Sequence, residues 1–295
     1  MTERNSMNTE EEFYLHPENM KGNLCDFALF LSVMRYKEAY ECLLSIILDE
    51  PDFTLTEVRV EEVILNRKGM RAIRLDAWAL DSRNRQFNTE MQNDSTQDDE
   101  RRRARFYQSL MDSPILKSGK QTRYKQLPDT VIVFITEQDI FGYDRAMYTF
   151  TEQSKEETGL ALEDGTTKIF LNMSSRNGRP ELVSLLQYLK DSRLDNPNIT
   201  VSDPRLIRLD EIFNEVRQSE EWEEGKMTIM EYAKNIGIQQ GIEQGMARGV
   251  EQGISVFIAT LQEWQKTMEE TRDLIMEKFS LNSEEADTYI SKYWK

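Results

Sequence analysis

Two acids in the stretches Ile73-Arg74-Leu75-Asp76-Ala77-Trp78 and Phe87-Asn88-Thr89-Glu90-Met91-Gln92 carry the chemistry this sequence offers. Their surroundings predict strands over Ala72–Leu80 and Arg85–Gln92, joined by the turn Asp81-Ser82-Arg83-Asn84. Counting outward from a turn centred near Arg83 sets Asp81 opposite Arg85 and, carried on, Asp76 opposite Glu90. Directly opposed residues of an antiparallel pair share a face with Cβ atoms about 5 Å apart, and Gln92 points the same way by the period of a strand. Two like charges so placed repel unless a cation lies between them. A hard divalent ion such as Mg²⁺ accepts carboxylate oxygens and keeps waters that can attack a phosphodiester. Spacing alone favours a plainer reading, two solvent-facing carboxylates on a hairpin.

Composition narrows the alternatives. The only histidine of the 295 residues, His16, sits in a polar acidic stretch, so Ser-His-Asp, Cys-His, His-ligated zinc and HNH chemistries lack an ordered imidazole. The two cysteines, Cys25 and Cys42, fall in a region that reads as helical with no His or Cys pair to complete a zinc site, and are expected as reduced core thiols of a cytoplasmic protein. No apolar run reaches the ~18 residues of a membrane span, and Met1-Thr2-Glu3-Arg4-Asn5 lacks the order of a signal peptide, so neither membrane insertion nor export is expected.

The elements that must hold the two acids are legible in the periodicity. Residues 1–23 are expected to form an acidic, poorly ordered leader. Phe27, Phe30, Leu31 and Met34 recur at helical spacing, and a second helix is predicted over Glu38–Leu48, ended by Pro51. A first strand is predicted over Val58–Leu65, with a turn at Asn66-Arg67-Lys68-Gly69. After the hairpin, Ser95–Met111 predicts a helix capped by Ser95 or Thr96, with Ala104, Tyr107, Leu110 and Met111 along one side. Thr130–Thr136 is a continuous β-branched and apolar run, the pattern of a strand covered on both faces. Short strands follow at Met147–Phe150 and Lys168–Leu171, then a helix over Pro180–Leu189.

The formal net charge of −16 opposes non-specific phosphate binding. The segment Arg101–Lys125 runs against this trend, with Arg101, Arg102, Arg103, Arg105, Lys117, Lys120, Arg123 and Lys125 against Asp112 alone. It reads equally as a solvated helix face or as a phosphate-contacting rim. In the tail, glycines at 237, 241, 245, 249 and 253 place two adjacent stripes on a helix. Each interior glycine costs about 1 kcal/mol against alanine, so close helix approach, as in self-association, is the natural compensation, with a flexible linker as the alternative. Residues 255–295 predict a charged helical pair anchored by Phe257, Leu261, Trp264, Leu274, Ile275 and Phe279.

In the order of these elements the sequence resembles the PD-(D/E)XK nuclease family transposases, also described as recombination-promoting nucleases. The resemblance covers about Leu24 to Asn172. It is carried by Val33-Met34, Glu38 and Leu43-Leu44; by Gly69-Met70-Arg71-Ala72-Ile73-Arg74-Leu75-Asp76; by Phe87 to Gln92; and by Arg103-Ala104-Arg105-Phe106-Tyr107-Gln108-Ser109. Tyr124-Lys125-Gln126-Leu127, Phe141-Gly142, Tyr148-Thr149-Phe150 and Asp164 to Asn172 extend it. The resemblance implies an α/β fold, a restriction-endonuclease-like mixed sheet flanked by helices over residues 24–210, with a helical tail over 211–295. It further implies Asp76 and Glu90 as ligands of Mg²⁺ or Mn²⁺, Glu38 as a candidate third acid in competition with Glu41, and Gln92 where the wider superfamily usually has lysine. Glutamine orients water but brings no charge, and Arg105 and Tyr107 are candidates for part of that electrostatic role. The expected function is metal-dependent DNA endonuclease, with Asp76, Glu90, Gln92 and Glu38 at the site, Arg101, Arg102, Arg105, Lys117 and Lys120 on DNA, and the tail joining copies. The alternative is a catalytically weak or inactive nuclease-like module that binds DNA or protein.

Overall fold

The computed structural model describes residues 21–64, 73–92, 99–116 and 123–294, with the side chains of 228–244 outside the description. His16, the turn at residues 66–69, the predicted caps Ser95 and Thr96, and Lys117 and Lys120 therefore lie outside the described residues. So do the side-chain surroundings of Gly237 and Gly241.

Six strands form one mixed sheet in the order β1-β2-β3-β4-β6-β5. β1 (Leu55–Ile64), β2 (Ile73–Asp81) and β3 (Arg85–Gln92) run antiparallel in succession, β4 (Asp129–Thr136) and β6 (Thr166–Asn172) lie parallel to β3, and β5 (Met147–Phe150) closes the far edge antiparallel. The β2–β3 turn has Asn84 in the left-handed region at φ 62°, and the Arg85 guanidinium donates to Asp81 Oδ2 at 2.7 Å, the pairing expected from the turn.

Two parallel neighbours cannot be joined by a hairpin, so the chain between β3 and β4 must cross over the sheet. The crossover carries α3 (Glu100–Asp112), following α1 (Phe27–Met34) and α2 (Lys37–Leu48) earlier in the chain. α3 starts later than the sequence predicts: Asp99 has extended backbone and caps it, its carboxylate accepting from Arg102 N at 3.3 Å. An aspartate at that position satisfies an otherwise orphaned amide and complements the helix dipole.

β4 shows why its sequence is apolar throughout. Val131, Val133 and Ile135 enter a core with α1, α2, α4 (Pro180–Lys190) and α5 (Pro204–Arg217), whereas Ile132 and Phe134 enter a second core with Ala104, Tyr107, Leu110 and Met111 of α3. Each fully buried Phe, Leu or Ile contributes roughly 1.5–3 kcal/mol, so the strand is fixed from both faces. α5 begins ahead of the helical tail expected from residue 211. Its Leu206, Leu209, Ile212, Phe213 and Val216 are buried in the first core, so that unit continues past residue 210.

The chain forms two compact units, up to Ile229 and from Met230. The long helix α6 (Glu220–Glu263) contributes to both, and α7 (Met268–Phe279) and α8 (Ser283–Tyr293) complete the second. Ile254, Ile258, Ile275, Ala286 and Ile290 form its core. Capping boxes at Thr267/Glu270 and Asn282/Glu285 start α7 and α8, as the sequence pattern Thr-x-x-Glu and Asn-x-x-Glu dictates. A Cβ added at Gly253 would meet the Phe279 ring at 3.6 Å, an ordinary contact, while at Gly245 and Gly249 it would meet nothing within 4 Å. Among the described residues no helix is long and apolar enough to cross a membrane.

Candidate active site

The β2–β3 ladder holds its register from Leu80↔Gln86 to Ala77↔Thr89 and stops there. The next residues along this register are Asp76 and Glu90, where side chains replace backbone partners. Asp76 N donates to Glu90 Oε1 at 3.1 Å, and Met91 N donates to Asp76 Oδ2 at 3.0 Å. The strand changes its facing at the same point. Ala77 and Ala79 belong to the first core but Ile73 and Leu75 to the second, which a regular period of two does not allow. On the neighbouring strand Val60 pairs with Ala77 and Glu62 with Leu75, and Glu61 between them has a left-handed φ of 54°. The β1–β2 register itself runs on unshifted to Ile64↔Ile73. The change of facing falls beside Asp76, where β2 turns from the first core to the second.

Both acids are nearly sealed, Asp76 at 6% and Glu90 at 1% exposure. Burial, and then the charge of Glu90, push the Asp76 carboxyl well above its ordinary pKa, against the Met91 amide and the Arg103 charge, which lower it. Burial also raises Glu90, against Arg103, Asn88, the Asp76 amide and Tyr107. The pair is thus the opposite of the solvent-facing hairpin carboxylates that spacing alone favours.

β3 presents alternate residues to α3. Gln86 Nε2 donates to Thr130 Oγ1 at 2.7 Å, Asn88 Nδ2 to Glu90 Oε1 at 2.9 Å, and Gln92 Oε1 accepts from Arg103 Nη1 at 2.7 Å. Arg103 Nη2 reaches Glu90 Oε2 and the Tyr107 hydroxyl, both at 3.0 Å. Gln92 therefore meets Glu90 through one guanidinium. From behind, the buried Tyr40 of α2 places its hydroxyl 2.8 Å from Ala77 O and 2.9 Å from Thr89 Oγ1, gripping the last regular rung before the acids. Burial raises the pKa of that phenol, which keeps it a neutral hydrogen-bonding group.

Other expected residues lie elsewhere. Glu38 is engaged elsewhere: its side chain is 56% exposed and takes a two-pronged ion pair from Arg208, at 2.8 and 2.9 Å. Glu41 accepts from Leu55 N at 2.7 Å. Among the described residues no group of three or more His, Cys, Asp or Glu could hold a metal. Arg105 is exposed, and the site cation on α3 is Arg103, which sequence reasoning did not single out. A helix turns about 100° per residue, so Arg105 stands on the far side from Arg103, whereas Tyr107 four residues on shares its face. The signal was available: Arg103 precedes Tyr107 by the same interval that sets the inward stripe. Arg101 and Arg102 are exposed and lean on Asp99, at 3.1 and 3.4 Å.

The oxygens gathered here suit a hard cation. Two carboxylates, the Gln92 amide and Asn88, whose Oδ1 is buried with no partner among the described residues, offer oxygen with no soft ligand. Mg²⁺ commonly takes one or two protein carboxylates and fills its remaining positions with water and substrate phosphate, so the donor set fits.

A mixed sheet with helices on its faces, and acids meeting where the hairpin ladder stops, define a restriction-endonuclease-like α/β fold. The family model for the PD-(D/E)XK nuclease family transposases matches residues 27–231, more than half of the sequence, and the chain belongs to that family. Comparison with curated proteins and with solved structures gives no match.

Proposed function

We propose that the chain is a metal-dependent DNA endonuclease in which Asp76 and Glu90 hold Mg²⁺ or Mn²⁺. The observation that carries this reading is that two buried acids, each taking a backbone amide of the other's strand, stand side by side at the point where the β2–β3 ladder ends. The ladder end needs partners for its amides but not two charges, and burying like charges together is costly unless a cation joins them.

Hydrolysis adds water across one P–O ester bond and leaves a phosphomonoester and an alcohol. A bound divalent ion supplies Lewis-acid polarisation of the phosphate and a more acidic water. The chain does the rest. Asp76 and Glu90 fix the cation against β2 and β3, Gln92 orients the attacking water, and Tyr40 holds the rung behind them so that neither acid shifts when substrate arrives. Arg101, Arg102 and Arg105 on the exposed side of α3, with Lys117 and Lys120, are assigned to the phosphates of the bound strand. Exposed Met246 and Val250 beside Gly245 and Gly249 support self-association through the tail, which brings two sites to two strands; a monomer in light scattering would contradict this part.

Supercoiled plasmid incubated with Mg²⁺ or Mn²⁺ is the test. Nicking that disappears with chelator and in both Asp76→Ala and Glu90→Ala is the expected result. Absence of nicking, or nicking that survives both substitutions, overturns the assignment in favour of a non-catalytic DNA-binding or protein-interaction module.

A further inference from the structure

We propose that Arg103 supplies, from helix α3, the positive charge that Gln92 cannot supply from strand β3. The inference rests on the nuclease reading above and assigns a residue to a task that reading leaves open. Gln92 and Glu90 lie on the same face of β3, and the Arg103 guanidinium spans them through Nη1 and Nη2. An arginine only donates hydrogen bonds, so the Gln92 atom facing it is the amide oxygen, and the orientation of that amide is set by the contact.

The guanidinium is held from several directions. Its carbon lies 5.3 Å from the Tyr107 ring centre and 5.4 Å from that of Phe134, a buried residue of β4, and its side chain is only 18% exposed. Stacking between rings and a fork of two hydrogen bonds immobilise a side chain that is otherwise costly to order. A cation so fixed and desolvated is worth far more against developing charge than a mobile one in water. Three exposed arginines, Arg101, Arg102 and Arg105, stand on the same helix, yet Arg103 alone among the described residues is drawn onto Glu90 and Gln92. Sustained contact with both distinguishes it from a phosphate-binding surface residue. Its bonds to Glu90 and Gln92 make it a positioning residue for the metal ligand and for the water-orienting amide, with its charge directed at the same place.

Moving the charge tests this. Wild type, Arg103→Met, Arg103→Lys and the double variant Arg103→Met with Gln92→Lys are compared in metal-dependent plasmid nicking and, separately, in Mn²⁺ binding followed by electron paramagnetic resonance. The expected result is a loss of roughly 10²–10³-fold in Arg103→Met, partial retention in Arg103→Lys, and at least tenfold recovery over Arg103→Met when the lysine is placed on the strand. Mn²⁺ binding is expected to persist in all four proteins, since Asp76 and Glu90 are unchanged. Nicking by Arg103→Met within threefold of wild type overturns the inference alone, and so does failure of the double variant to recover. Loss of Mn²⁺ binding in Arg103→Met and Arg103→Lys together also overturns it, by making Arg103 a structural support of the acids. A wild type that does not nick at all overturns the nuclease reading and this inference with it.

Discussion

The amide of Asp76 donates to Glu90 Oε1 at 3.1 Å, although the two residues lie on different strands and a regular ladder would give that amide a carbonyl. A carboxylate assigned above to the metal thus does structural duty, and the pair is bound into the sheet by backbone amides of β2 and β3. The arrangement fixes the acids at the cost of burying them together.

Removing one of the charges should therefore stabilise the metal-free protein. Burial and the charge of Glu90 raise the Asp76 pKa in the folded state above its unfolded value of about 3.9. The folded chain then binds the proton more tightly, and stability falls as pH rises from the unfolded pKa through the raised one. Asp76→Asn keeps an oxygen for the Met91 amide and removes this cost. It is expected to gain about 1–2 kcal/mol near neutral pH and nothing at acid pH, while abolishing nicking. Thermal melts across pH in chelator check it; a variant less stable than wild type at neutral pH would speak against the charge argument.

The opposite sign is expected at the other end of the hairpin. Glu50 accepts from Arg85 Nη1 and Nη2 at 2.8 Å each and also pairs with Arg83, and the Arg85 hydrogen bonds first of all hold its pKa below the ordinary value. A depressed carboxylate contributes stability above its unfolded pKa and loses it as pH falls through the folded one. Glu50→Gln is expected to cost about 1 kcal/mol at pH 7 and little at pH 3. Denaturant titrations at the two pH values measure the difference, and an equal loss at both would contradict the ion-pair account.

Much of this was legible in the sequence. The turn at Asp81–Asn84 determined the register that brings Asp76 to Glu90, and β3 and β5 fall where alternation and β-branching placed them. What could not be read was the break in facing at Asp76, because it shows only in which core each residue of β2 enters, a tertiary fact. The ion pair of Glu38 could not be read for a related reason. Its helix is correctly predicted, but helix rotation points Tyr40 into the sheet and leaves Glu38 to Arg208, a residue far along the chain. The early start of α5 escaped because its apolar positions are interspersed with Arg205, Arg208 and Glu211, whose long side chains mask an inward stripe.

Gly165 is a point where any side chain would be held in a strained, left-handed backbone. It has φ +80°, and an added Cβ would run into the Asp129 carboxylate at the start of β4. Gly165→Ala is expected to cost about 1–3 kcal/mol through left-handed strain and the clash. Chemical unfolding reads this directly, and a loss below a few tenths would mean that the turn into β6 relaxes freely.

DNA affinity should respond unequally along α3. Arg105 is exposed, while Arg101 and Arg102 share Asp99. Arg105→Gln is expected to weaken binding more than Arg101→Gln or Arg102→Gln, and to reduce the slope of log affinity against log salt by about 0.9, one phosphate contact. Binding isotherms at several salt concentrations, in chelator so that no cleavage intervenes, decide it; an unchanged slope would remove Arg105 from the interface.

The most direct measurement is Mn²⁺ binding itself, titrated into wild type, Asp76→Ala and Glu90→Ala and followed by electron paramagnetic resonance. The account predicts one site on wild type that each substitution abolishes while the fold persists by circular dichroism. Wild-type binding unaffected by both substitutions, or no binding at millimolar Mn²⁺, would contradict it.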